Sequence, residues 1–137
     1  GAGVLTLAKA KKLIERIEAY AAEQGKSAVI AVCNAQGNPI AVHVMDGAFL
    51  VSFDVAMKKA YTAVAVKMST MELSALVQPG GTFYGLQNMD QLITFGGGVP
   101  LRVGQVIVGG LGVSGGTGEE DHALCAYGLS VFSEMMG

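Results

Sequence analysis

The segment 109–121, Gly-Gly-Leu-Gly-Val-Ser-Gly-Gly-Thr-Gly-Glu-Glu-Asp, constrains the fold of this chain more than any other. Residues 105–113 read as a strand interrupted by Gly109, Gly110 and Gly112. Glycine inside a strand marks a bulge, a positive φ or a place where something approaches the backbone closely. Thr117 and Glu120 then stand at capping-box spacing and open a last helix, with Leu124, Tyr127, Val131 and Met135 turned inward. The run from Gly110 to Gly115 matches G-x-G-x-x-G. A dinucleotide site, however, needs a further strand with an acidic residue about 20 positions on, and here the sequence runs out within the last helix, so no dinucleotide is expected. Two readings of the turn Ser114-Gly115-Gly116-Thr117 stay open. Its helix N-terminus suits an anion, such as the carboxylate of a small acid or a tetrapyrrole propionate. Alternatively, Thr117 and Glu120 satisfy those N–H groups themselves.

Upstream, Leu7, Ala10, Leu13, Ile14, Ile17 and Ala21 recur at helical spacing behind Thr6, an N-cap, and Gly25 closes the helix. Residues 28–33 are a short apolar run that reads as a strand covered on both faces. The turn formers of 34–39 and the apolar 40–45 complete an antiparallel hairpin. Ser52 is expected to cap a helix running to about Met68, with Asp54 in its first turn and Ala56, Ala60, Ala63 and Val64 inward. Ser69 and Glu72 open a short helix to about Val77. Residues 82–90 read as a loop with one helical turn, 92–95 as a strand and 101–103 as a brief further strand. The order predicts an α/β (α+β) domain: an antiparallel sheet of about five strands with helices packed on it.

A length of 137 residues suits one domain, 1–137. With 51 % apolar and 15 % charged residues, the surface is lean in charge, and composition favours a homo-oligomer over a very well-buried monomer. The net charge is −2 without blocks of like charge, and Lys9, Lys11 and Lys12 are diluted by Glu15 and Glu18. No nucleic-acid or membrane partner is expected. The start, Gly1-Ala2-Gly3, lacks the basic and apolar regions of a signal peptide, so the expected location is cytoplasmic; the absence of an initiator Met leaves the native N-terminus open. Cys33 and Cys125 sit in apolar runs and form neither a zinc site nor a disulfide framework.

No convincing catalytic set is legible, and the catalytic residues are unknown from sequence. Lys59, on a small-residue helix, is the candidate for a buried, perturbed lysine. The plainer expectation is that one of Lys58 and Lys59 is solvated while the other pairs with Asp46 or Asp54. Ser114 lacks the leading residues of a nucleophile elbow. His43, on the strand face of Ala41 and Met45, and His122, beside Glu119, Glu120 and Asp121, are weak metal candidates. A haem needs one axial side chain where zinc needs three or four ligands. Asp121 with His122 or Glu120 is a candidate for a stray cation, and a capped acidic helix start is the favoured alternative.

The fragments MDGAFLVSFDVAMKKAYTA, FGGGVPL and VIVGGLGVSGGTGEEDHALC together resemble the GlcG/HbpS family of small haem- and corrinoid-associated proteins. That family includes the C-terminal domain of PduO-type corrinoid adenosyltransferases and proteins associated with diol and glycerol dehydratase systems. The resemblance runs from Leu5 to about Gly128. It implies a profilin-like fold with a five-stranded antiparallel sheet, assembly into dimers or rings such as octamers, and an association with haem, iron or cobalamin (corrinoid) chemistry. Members commonly carry Arg two places before the Asp of the Asp46-Gly47 pair; Val44 stands there, which removes a cationic partner for a propionate or phosphate. The proline often found before the glycine pair is Gly96.

The expected site is a small-ligand pocket lined by Asp46, Lys59, Gly97, Gly98 and the turn Ser114, Gly115, Gly116 and Thr117. The first functional expectation is a non-catalytic accessory protein binding a tetrapyrrole or small organic acid in a homo-oligomer. An enzyme acting on haem or a small hydroxy or keto acid, with Lys59 and Asp46 as acid–base residues, is the second. A structural subunit supporting a dehydratase system is the third.

Overall fold

A computed structural model describes residues 4–137. Helix α1 (Leu7–Glu23) starts where the Thr6 hydroxyl accepts from the Lys9 N–H. It buries Ala10, Leu13, Ile14, Ile17 and Ala21. It closes in a Schellman motif: Gly25, at φ +69°, donates to Ala22 O, and Lys26 N donates to Ala21 O. Strands β1 (Val29–Asn34) and β2 (Pro39–Val44) form the expected hairpin. Val29 to Cys33 are all buried, as a strand covered on both faces requires.

Helix α2 (Ser52–Val66) differs at both ends from expectation. Val51, not Ser52, holds the cap position and makes no side-chain cap bond. Ser52 is buried, and its hydroxyl accepts from Ser114 Oγ at 3.3 Å. The helix stops at Val66 because Lys67 turns left-handed at φ 60°. Helix α3 (Thr70–Leu76) is capped by Ser69, which accepts from Glu72 N, and a 3-10 turn follows at Leu86–Asn88.

Among the described residues the sheet has four strands, not five. Residues 92–95 form no strand; Ile93 N donates to Thr62 Oγ1 of α2 instead of to a neighbouring strand. The expected fragment 101–103 is the end of a longer strand, β3 (Gly98–Val103), which turns through Gly104 into β4 (Val106–Ser114). The order is β2-β1-β4-β3, all pairs antiparallel. Two of the three prolines, Pro39 and Pro100, fall in the two edge strands, where a missing donor costs no ladder bond.

Helices α1 and α4 (Gly118–Met136) cover one face, on a core of Ile30, Val32, Leu111, Val113, Leu124 and Phe132 among others. Tyr20 and Tyr127 stack between them with ring centroids 4.1 Å apart. Helix α2 covers the other face, its Ala56 packing on Val29 and Ala31. Its contact with the sheet is backbone on backbone. A Cβ on Gly112 would stand 2.0 Å from Ala56 O, one on Gly110 2.4 Å from Ala60 O, and one on Gly98 2.5 Å from Lys59 O. The strand glycines therefore serve close helix packing.

Candidate functional site

Lys59 leaves α2 between Gly97 and the end of β4 and reaches the opposite layer. Its Nζ donates to Val113 O at 2.8 Å and to Asp121 Oδ2, in the first turn of α4, at 3.0 Å. The ring of Phe95 lies 5.0 Å away as a cation–π partner. Lys59 and Asp121 are both buried. The expectation that Lys58 or Lys59 pairs with Asp46 or Asp54 is thereby replaced: Asp121 is the partner, because α4 begins where the sheet ends. Gly97, at φ +122°, makes this passage possible, since a Cβ there would meet Lys59 Nζ at 2.6 Å and Val113 O at 2.5 Å.

Asp121 also organises the glycine turn. Gly116 N donates to its Oδ1 at 2.9 Å, and Gly115 N to its Oδ2 at 3.3 Å. Thr117 and Glu120 complete a reciprocal capping box. The Thr117 N–H, then Lys26, holds the Glu120 carboxyl below its ordinary value. The amides of the 115–117 turn are thus met by carboxylates of the chain itself, in line with the self-capping alternative.

The turn forms a wall shared by two adjoining hollows. One, of about 310 Å³, lies towards Lys26, Ser27 and Gly47. The other, of about 410 Å³, lies towards Val51, Ser114, Thr117 and Phe95. Phe49, Gly115, Gly116, Glu120 and Asp121 border both. Together they form one cleft with a polar end at Lys26 and Glu120, 3.6 Å apart, and an aromatic rim.

The predicted site residues divide. Gly97 and Gly98 are buried beneath the cleft around Lys59, and Ser114, Gly115, Gly116 and Thr117 line it. Asp46 is exposed and borders a different hollow with Glu15 and Glu18; only its neighbour Gly47 reaches the cleft. Lys59 and Asp46 therefore share no site. His43 is bound through Nδ1 to Glu18 of α1, and His122 is half-buried with its Nδ1 unpartnered. Among the described residues no group of three or more His, Cys, Asp or Glu converges to hold a metal ion. Cys125 donates to Gly97 O beneath the ion pair; burial pushes its thiol up to about 12, and that of Cys33 to about 11.

Sequence reasoning missed Asp121 as the partner of Lys59, and Phe49, Phe95 and Lys26 as cleft residues. Asp121 carries a usable signal, standing four places after the Thr117 cap. Nothing in the sequence separates Phe49 and Phe95 from core phenylalanines.

Residues 5–130 match the family described as haem degrading protein HbpS-like. The chain is 41 % identical over 133 residues, 96 % of its length and 94 % of the relative's, to an uncharacterized 15.0 kDa protein of the dhaT-dhaS intergenic region of Citrobacter freundii. It is 45 % identical over 107 residues to the corrinoid adenosyltransferase PduO of Salmonella typhimurium, matching 77 % of this chain but only 32 % of PduO. Among solved structures, Klebsiella pneumoniae protein ORFY superposes with TM-score 0.90 at 38 % identity, covering 94 % of this chain and 90 % of that one. The PduOC:heme complex superposes with TM-score 0.88 at 36 % identity, covering 93 % and 94 %. Sequence motifs, family match and superposition agree, and the chain belongs to the HbpS-like family.

Proposed function

We propose that this chain is a non-catalytic accessory protein that binds a tetrapyrrole, haem or a corrinoid, in the cleft at the 115–116 turn. The observation that carries the reading is the apolar rim. Phe49, Val51 and Phe95 line the cleft yet are 68 %, 67 % and 48 % exposed. Exposed aromatic and aliphatic side chains around a hollow mark a binding surface, and a flat macrocycle covers such a rim well. Lys26 at the polar end suits a ligand carboxylate. Similarity to a structure solved with heme and to part of a corrinoid enzyme supports the same ligand class.

The residues fit the macrocycle better than the metal. The described residues lining the cleft include no His, Cys, Met or Tyr, so the cleft offers shape and charge but none of the usual axial side chains. Binding by ring faces and carboxylates makes metal-free protoporphyrin IX a competitor of haem.

The rim continues into Leu50, which is 95 % exposed. We infer a homo-oligomer that covers part of this belt, working in the cytoplasm. Titration of haem, protoporphyrin IX and cobalamin, followed by absorbance and thermal shift, tests the ligand. Saturable binding of at least one, weakened by Phe49→Ser and Phe95→Ser, is expected. The absence of both a spectral change and a thermal shift with all three ligands would remove the reading.

A further inference from the structure

At the far end of α2, about 20 Å from the cleft at its rise per residue, lies a second hollow of about 360 Å³. Lys67, Arg102 and Gln105 supply its polar wall, and Ala35, Val64 and Ile107 its apolar one. Among the described residues no acidic side chain lines it, in a chain with eleven Asp and Glu against nine Lys and Arg. From this we propose a second binding site, for a small phosphate-bearing anion, unrelated to the tetrapyrrole cleft.

Two backbone features and one side-chain bond converge on this hollow. Lys67 is the one non-glycine residue with a positive φ, 60°, among the described residues. Glycine or asparagine is the usual occupant of such a helix end, and a lysine there places a cation at the hollow at some cost in backbone strain. The register between β3 and β4 shifts between Leu101 and Arg102, an irregularity of the kind that re-aims a side chain. The guanidinium of Arg102 then donates to Lys67 O at 3.0 Å. That bond ties down the helix end and fixes the arginine fork in place.

Electrostatics favours an anion. The last carbonyls of α2 carry about half a negative charge by the helix dipole, and the two full cations of Lys67 and Arg102 outweigh it. The remaining guanidinium N–H groups can engage two oxygens of one phosphate in parallel, with the Lys67 ammonium and Gln105 amide as further donors. The apolar wall suits the short carbon part of a phosphate ester.

Titration of the full 15N-labelled chain with inorganic phosphate, against sodium chloride at matched ionic strength, tests this. Saturable amide shifts confined to residues around 64, 67, 102, 105 and 107 are expected. Lys67→Asn keeps the left-handed turn and removes the cation; Arg102→Gln removes the fork. Each should weaken phosphate binding about tenfold, the scale of a charge-assisted bond, while haem binding at the other end is unchanged. Shifts that do not saturate, that spread over the surface, or that keep their affinity in both folded variants would overturn the proposal.

Discussion

Lys59 Nζ and Asp121 Oδ2 lie 3.0 Å apart inside the protein and join helices on opposite faces of the sheet. The carboxylate in turn holds the Gly115 and Gly116 amides, so one buried ion pair couples α2 to the turn that walls the cleft. Removing one partner of such a pair typically costs about 3–5 kcal/mol, because the other charge is left uncompensated.

The two single substitutions should not be equal. Asp121→Ala strands Lys59 and two amides, whereas Lys59→Met leaves the carboxylate its amide donors. Asp121→Ala is expected to be the more destabilising in urea unfolding, and the double variant to cost less than the sum. Strict additivity would show that the pair contributes no coupling.

Helix α2 can sit where it does only while β4 lacks side chains beneath it. Gly112→Ala places a methyl 2.0 Å from Ala56 O, and the overpacking should cost about 1–3 kcal/mol or more. Gly110→Ala, at 2.4 Å from Ala60 O, should cost less. Calorimetry of both variants checks the order.

Thr117 caps α4, and Thr117→Ala should lower stability by about 1 kcal/mol in denaturant titration. The same cap depresses the Glu120 carboxyl. A depressed carboxylate contributes stability above its unfolded value and loses it as pH falls through the folded one. Glu120→Gln should therefore flatten the acid limb of the stability curve while leaving its alkaline limb unchanged.

Burial raises the thiols of Cys33 and Cys125 to about 11 and about 12 from an ordinary 9.0. In the native protein neither should react with a thiol reagent at pH 8, and both should react after unfolding. The unfolded chain gives up these protons first, so their contribution is complete below pH 9 and declines as pH rises towards 11. A Cys33→Ala, Cys125→Ala variant should show a shallower alkaline decline.

Local signals carried most of the elements. The stripe of α1 behind Thr6, the apolar run of β1, the turn at 34–39, the Ser69 cap of α3 and the capping box at 117–120 each act over a few residues, and each appears as expected. Residues 92–95 failed for the complementary reason. An apolar tetrad looks the same whether its backbone pairs with a strand or, as at Ile93, with a threonine on a helix. Ser52 failed similarly: a serine before a helix is a good cap, but burial turned its hydroxyl to Ser114.

By itself, the sequence determined the antiparallel α/β character, the glycine-rich strand leading into a capped helix, and the family. Each depends on residue type and near-neighbour spacing. Only the tertiary structure decided that the strand glycines admit α2, that Lys59 pairs with Asp121 across 62 residues, and that Asp46 stands outside the cleft. Those outcomes depend on where layers meet at the end of the sheet, and no local pattern encodes that distance.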